Sequence, residues 1–246
     1  MQVIVHSDPE SLAEAAADFI AGAVDSAPDR FSLGLAGGST PLATYRVLRG
    51  RDLDWHKVDA WMSDERWVPL DHPECNGHQA ATALMDHVGA RFFRPRWAPW
   101  LTPADSAAHF EATLRSLHPD GRADLILLGM GDDGHTASLF PGTAALDAPE
   151  SRWYVDNYVP KLDAHRVTAT YRFLRAAHRI LFLVTGEAKA PALRQVLEPV
   201  DGEVGLEGVD LAAERVASHR DVDRAEAALV GAAVEHLGAE EDHAGA

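Results

Sequence analysis

Three groups of residues in this chain have types and spacings that suit chemistry, and each follows a short apolar run. The first is Asp132, Asp133 and His135 in the stretch Asp124 to Gly142, DLILLGMGDDGHTASLFPG. An imidazole beside a carboxylate suits a general base oriented by an acid, and the same residues could hold a metal ion. The second is Asp64, Glu65 and Arg66 in SDERWVPLDHPECN. These charges close a strand and can line a cleft, and the arginine, a planar and permanently charged donor, fits an oxyanion or a carboxylate. The third is the turn AGGSTP. There the backbone around Gly38 and the hydroxyls of Ser39 and Thr40 converge at a helix start, which suits a phosphate monoester. The pattern TGEAKAPALRQVL puts Lys189 in the first turn of a further helix. A cation there opposes the helix dipole and is easier to understand beside a bound anion.

Each group also has a plainer reading. Glycines and a cap are what any strand-to-helix junction needs, Glu187 can neutralise Lys189, and the charges of Asp64 to Arg66 can pair with one another in water. His72, Cys75 and His78 are spaced three apart, but they are one ligand short of a structural zinc site, and no metal is expected. Gly129, Gly131 and Gly134 spell G-x-G-x-x-G after a strand. Asp132 and Asp133 would aim negative charge at a pyrophosphate, and Pro141 with Gly142 cuts the following helix short, so a dinucleotide site is rejected. Ser138 and Cys75 lack the sequence context of a covalent nucleophile.

The elements that must position these groups are legible as a repeat. Val3 to Val5, Phe31 to Leu35, Val58 to Met62, Leu125 to Leu128 and Ile180 to Val184 have the length and apolar content of buried strands. Helices are expected after Ser7 or Asp8, with Leu12, Ala16, Phe19, Ile20 and Ala23 on the inner face, from Pro41 to Leu48, from near Gly77, from Ala104 to Leu117, and in TGEAKAPALRQVL. Trp153 to Val159 and Arg166 to Tyr171 have strand composition, while Phe92 to Pro103 look irregular. Pro199 to Gly208 read as an acidic loop, and a helix from Asp223 to Leu237 is expected to close the fold. The sum is one α/β domain over residues 1–237, a Rossmann-like and mostly parallel sheet covered by helices on both faces, with residues 238–246 as a tail. In such sheets ligands bind at the carboxyl ends of the strands, where all three groups lie.

Composition limits the partners. With 38 acidic and 22 basic residues, the formal net charge of −16 makes nucleic acid and anionic membrane surfaces poor partners. Any anionic substrate must then be held by local cations. A single cysteine excludes an internal disulfide and fits a reducing compartment, and no apolar window reaches the length of a membrane span. The cytoplasm is the expected location.

Taken together, AGGSTPLATYRVL, SDERWVPLDHPECN, DLILLGMGDDGHTASLFPG, HRVTATYRFL and ILFLVTGEAKAPALRQVLE resemble the 6-phosphogluconolactonases in order and spacing, from about Val3 to Leu197. The related glucosamine-6-phosphate deaminases share the GGSTP and DGH elements. In this chain, however, Arg66 and Trp67 follow Asp-Glu where the deaminases typically carry tyrosine, and Thr-Ala-Ser-Leu-Phe-Pro follows the histidine. The resemblance implies a fold of the deaminase and ribose-phosphate isomerase type, no cofactor, and hydrolysis of 6-phospho-D-glucono-1,5-lactone in the pentose phosphate pathway. It implies His135 as general base and Arg66 as electrophilic partner, with Gly38, Ser39, Thr40, Asp64, Arg166 and Lys189 around the substrate, and a monomer. A sugar-phosphate deaminase or isomerase, and a non-catalytic sugar-phosphate sensor, remain as alternatives. Ala36, Cys75 and Tyr171-Arg172 depart from the family pattern, as does the region after Pro199. Which of Asp132 and Asp133 orients His135 is left open.

Overall fold

The computed structural model describes residues 2–197 and 227–232. In chain order the first half runs β1 (Gln2–His6), α1 (Pro9–Asp25), β2 (Phe31–Leu35), α2 (Ser39–Leu48), β3 (Val58–Met62), β4 (Asp64–Arg66), α3 (Asn76–Ala83), β5 (Arg91–Phe93) and α4 (Pro103–Leu117). The second half runs β6 (Leu125–Leu128), β7 (Tyr154–Val159), β8 (Ala164–Ala169), α5 (Tyr171–Arg175), β9 (Arg179–Thr185), α6 (Ala190–Leu197) and β10 (Ala227–Ala232). The main sheet has the order β1-β10-β9-β6-β2-β3-β5. β9, β6, β2, β3 and β5 pair in parallel, so their carboxyl ends share one edge.

Strand periodicity divides the interior in two. Phe31, Leu33 and Leu35 of β2, Val58, Ala60 and Met62 of β3, and Leu125 and Leu127 of β6 join one core with the inner faces of α1 and α2. The residues between them, Trp61, Ile126 and Leu128, join a second core with α4, β7, β8 and α5. Continuous apolar strands thus feed both faces of the sheet, as expected of parallel strands covered on two sides. Gly34 is set by this packing, since a Cβ there would lie 2.9 Å from the indole of Trp61.

The structure departs from the expected elements in four places. β7 and β8 pair antiparallel with β4 in a separate three-stranded sheet, order β4-β8-β7, rather than extending the parallel one. β4 itself falls on charged residues expected in a loop, because its backbone finds partners in β8. Phe92 and Phe93, expected to be irregular, belong to the edge strand β5. Residues 227–232, expected to be helical, form β10, antiparallel between β1 and β9. The tertiary gap between two strands overrides the helix preference of an alanine-rich run. At smaller scale, Asp8 caps α1 through Ser11 N–H at 2.8 Å, and Phe19 sits at the margin of the buried stripe, 36% exposed. The expected loop at Pro199 to Gly208 and the tail at 238–246 lie outside the described residues.

One buried charge locks the edge of the sheet. Asp59 of β3, 5% exposed, is held by the guanidinium groups of Arg30 and Arg91. Burial alone would raise its carboxyl, but the hydrogen bonds from Arg30 and Arg91 outweigh it and bring the pKa down to about 2. A folded-state pKa below the unfolded one stabilises the protein above the unfolded value and is lost as pH falls toward the folded one. Asp59→Asn is therefore expected to cost roughly 1–2 kcal/mol at neutral pH, allowing for screening at the half-exposed arginines. Thermal unfolding of the two proteins should show this gap constant down to about pH 4 and narrowing only below it.

Candidate active site

The loop after β6 carries His135 at the carboxyl edge of the parallel strands, and its shape follows from close packing. Gly131 N–H donates to His135 C=O at 2.7 Å, and a Cβ on Gly131 would fall 2.0 Å from the imidazole Nδ1. Only glycine fits. Gly134 turns the loop at φ 80°, Thr136 Oγ1 donates to Gly129 C=O at 2.9 Å, and the imidazole stacks on Phe140 with centroids 3.8 Å apart.

Geometry settles which aspartate meets the histidine. Asp133 Oδ1 lies 2.5 Å from His135 Nδ1 and also accepts from the His135 backbone N–H at 3.3 Å. Asp132 instead pairs with Lys189. An ionised carboxylate only accepts, so Nδ1 carries a proton, and in the neutral imidazole Nε2 then keeps its lone pair. Partial burial would raise the Asp133 carboxyl, but the hydrogen bonds from His135 and then Lys161 hold it well below the usual carboxylate range. The side chain of His135 is 24% exposed, enough for water to reach it.

The second sheet supplies the cations. Arg66 of β4 and Arg166 of β8 are direct cross-strand partners, two residues along from the pair Asp64 and Thr168. Residues two apart on a strand share a face. Asp64 and Thr168 are the residues to which the His135 loop is fastened: Ser138 Oγ donates to Asp64 Oδ2 at 2.6 Å, and Ser138 N–H donates to Thr168 Oγ1 at 3.2 Å. The two arginines therefore stand on the face that the histidine loop covers. Opposed like charges destabilise a strand pair. Burial and the adjacent Arg66 both hold Arg166 below its ordinary pKa. Arg66 Nη1 donates to Glu74 C=O at 2.7 Å and Arg166 Nη1 to His165 C=O at 3.2 Å, neutral acceptors, while Asp64, Glu74 and Glu65 act on Arg166 at longer range and only partly offset its burial.

The glycine turn closes the site from the other side. Gly38, with φ 107°, precedes α2 and makes no side-chain cap. Gly37 lies so close to Asn76 that a Cβ would meet its Oδ1 at 1.9 Å, and Asn76 Nδ2 reaches Asp64 at 3.3 Å. Thr40 exchanges a 2.6 Å hydrogen bond with Thr185 at the end of β9, next to the turn that carries Lys189. The Asp132–Lys189 pair is exposed on the aspartate side, an ion pair that water and salt screen.

Of the residues singled out in the sequence, His135, Asp133, Arg66, Arg166, Gly38, Thr40 and Lys189 come to one edge. Asp64, expected to contact the substrate, is 7% exposed, and its carboxylate accepts from Ser138 Oγ and Asn76 Nδ2. Cys75 is a cap, its Sγ accepting from His78 N–H at 3.4 Å, and its thiol is pushed up to about 11, first by burial and then by Glu65. Glu65 accepts the backbone N–H groups of Arg66, Asn76 and Gly77, fixing the start of α3. Among the described residues no group of three His, Cys, Asp or Glu side chains could hold a metal ion. Sequence reasoning missed the anchors Asn76, Phe140, Lys161, Thr168 and Thr185, and it weighed Ser138 only as a nucleophile. Apart from Lys161 and Ser138, none belongs to a residue type that announces chemistry.

Gly131→Ala tests the packing of this loop directly. The added methyl must displace the imidazole, so circular dichroism should remain that of the wild type while the Asp133–His135 contact is lost, visible as a changed His135 ring signal by NMR.

The chain from residue 7 to 223 matches the family model "Glucosamine-6-phosphate isomerases/6-phosphogluconolactonase". It is 39% identical over 207 residues to a 6-phosphogluconolactonase from Nostoc, covering 80% of this chain and 85% of that one. It is 34% identical over 200 residues to another from Rhizobium meliloti, covering 78% and 85%. A crystal structure of a 6-phosphogluconolactonase from Shewanella baltica superposes with a TM-score of 0.71 at 28% identity, over 78% of this chain and 84% of that one. A monomeric glucosamine-6-phosphate deaminase superposes with a TM-score of 0.68 at 26% identity, over 83% and 88%. With its sequence, fold and strand-edge loops in agreement, this chain belongs to the glucosamine-6-phosphate isomerase and 6-phosphogluconolactonase family.

Proposed function

We propose that this protein hydrolyses 6-phospho-D-glucono-1,5-lactone to 6-phospho-D-gluconate, a step of the oxidative pentose phosphate pathway. The observation that carries the reading is the opposed pair Arg66 and Arg166, two like charges brought together on the face that the Asp133–His135 loop covers. Relatives of the same family that bear the name 6-phosphogluconolactonase support it.

The chemistry follows from the groups present. A lactone is an internal ester, so its hydrolysis needs a water deprotonated as it attacks, stabilisation of the tetrahedral oxyanion, and a proton for the departing ring oxygen. His135 Nε2 takes the proton from water while Asp133 holds Nδ1–H, and the water oxygen bonds to the lactone carbonyl carbon. Negative charge collects on the former carbonyl oxygen, where Arg66 opposes it. Collapse of the intermediate breaks the bond from the carbonyl carbon to the ring oxygen, which takes the proton from Nε2. The phosphate lies between Arg166, Lys189 and the turn at Gly38, Ser39 and Thr40. Anchoring that remote end presents the carbonyl to the base and turns part of the binding energy into orientation. Ser138 is no nucleophile in this scheme, because its hydroxyl is committed to Asp64 and buried.

The test supplies freshly prepared 6-phosphogluconolactone and follows 6-phosphogluconate against the spontaneous background, with glucosamine 6-phosphate as rival substrate. His135→Ala should lower kcat by about 10²–10⁴-fold and still bind 6-phosphogluconate. Lys189→Ala should chiefly raise KM. A wild-type protein no faster than background, or one that turns over only the amino sugar, contradicts the reading.

A further inference from the structure

The Asp133 carboxylate that meets the base has a second partner, from a different element. Lys161 lies in the short turn Pro160–Leu162 between β7 and β8, and its Nζ donates to Asp133 Oδ2 at 3.0 Å. Asp133 Oδ1 meanwhile faces His135 Nδ1 at 2.5 Å, so one carboxylate bridges lysine and imidazole through its two oxygens. The turn that delivers Lys161 is itself fixed. It ends at Asp163 in the left-handed region, φ 45°, and Tyr158 Oη donates to Asp163 Oδ1 at 2.6 Å. The neighbouring Asp132 is engaged by Lys189, so the adjacent aspartates of the base loop are tied to two different elements and carry separate tasks.

We propose that Lys161 is a positioning residue for the base: by fixing Asp133 Oδ2 from the second sheet, it sets the rotation of the carboxylate that holds His135 Nδ1–H. The base loop is rich in glycine, and Gly134 at φ 80° gives it little stiffness of its own. A carboxylate held on one oxygen alone can turn about its last torsion and release the imidazole. Held on both, it fixes the tautomer that leaves Nε2 free for water. The inference rests on His135 acting as base. It also explains why a reach of 28 residues in sequence ends on this one oxygen rather than on the more exposed Asp132.

Four variants test it: Lys161→Met, Lys161→Arg, Asp133→Asn and the double variant Lys161→Met/Asp133→Asn. An exposed ion pair acting through orientation should be worth about fivefold, so Lys161→Met should lower kcat by about that factor with KM within about twofold of wild type. Lys161→Arg should restore most of the loss, and adding Lys161→Met to Asp133→Asn should cost less than about twofold more, because the two act through one contact. Nitrogen-15 NMR of the imidazole, which needs no substrate, should show the Nδ1–H tautomer in wild type and a mixture of tautomers in Lys161→Met. An unchanged tautomer and kcat, a rise in KM alone, or a full fivefold loss in the Asp133→Asn background would each overturn the proposal. His135→Ala measured alongside separates the two readings: if it keeps turnover the base assignment fails, whereas the tautomer signal still judges the Lys161 contact.

Discussion

The site depends on one buried carboxylate. Asp64 accepts Ser138 Oγ from the loop of the base and Asn76 Nδ2 from the start of α3. A charge taken out of water is costly unless its lone pairs are met, so these donors are required by the energetics of burial rather than added to them. The consequence is geometric. The loop after β6, the amino terminus of α3 and the glycine turn beside Asn76 are all referred to a residue two positions from Arg66 on the same strand. The brace therefore sets where the imidazole stands relative to the guanidinium groups, although it touches neither.

Against that brace stands an arrangement that does not favour the free protein. Arg66 and Arg166 face each other across β4 and β8, and burial with mutual repulsion lowers the pKa of Arg166. In a chain of net charge −16, carboxylates are plentiful, yet the hydrogen bonds of these two side chains go to backbone carbonyls, and Asp64, Glu74 and Glu65 act on Arg166 from farther away. A folded protein tolerates such a pair where an anion completes it, in keeping with the general conflict between stability and function at active sites. Lys189 differs in being paired already with Asp132, so an anion drawn to it would compete with that carboxylate.

Much of this was legible in the sequence, and the limits have physical causes. Strands such as Leu125–Leu128 announce themselves because burial on both faces demands an unbroken apolar run, and the polar residues behind them mark the ligand edge. β4 was not legible, because Asp-Glu-Arg has no strand pattern and owes its conformation to a partner about a hundred residues away. The separate sheet followed from that omission, since β7 and β8 read as strands but not as strands with somewhere else to go. β10 was misread as helix because alanine favours helices locally, while its place between β1 and β9 is decided by the whole sheet. In the site, residue types gave His135, Arg66 and Lys189, and the family resemblance added Arg166. They could not divide Asp132 from Asp133, adjacent in sequence and separated only by which side chain each meets.

That Arg66 and Arg166 are held together for an anion is tested most directly by thermal unfolding of wild type and Arg166→Gln, each with and without saturating 6-phosphogluconate. Removing one of two repelling charges should leave the ligand-free variant at least as stable as wild type, while the rise in Tm on adding 6-phosphogluconate, clear in wild type, largely disappears. A ligand-free variant markedly less stable than wild type, with its ligand-induced rise intact, would mean that Arg166 serves the fold and not the anion, and the account would be wrong.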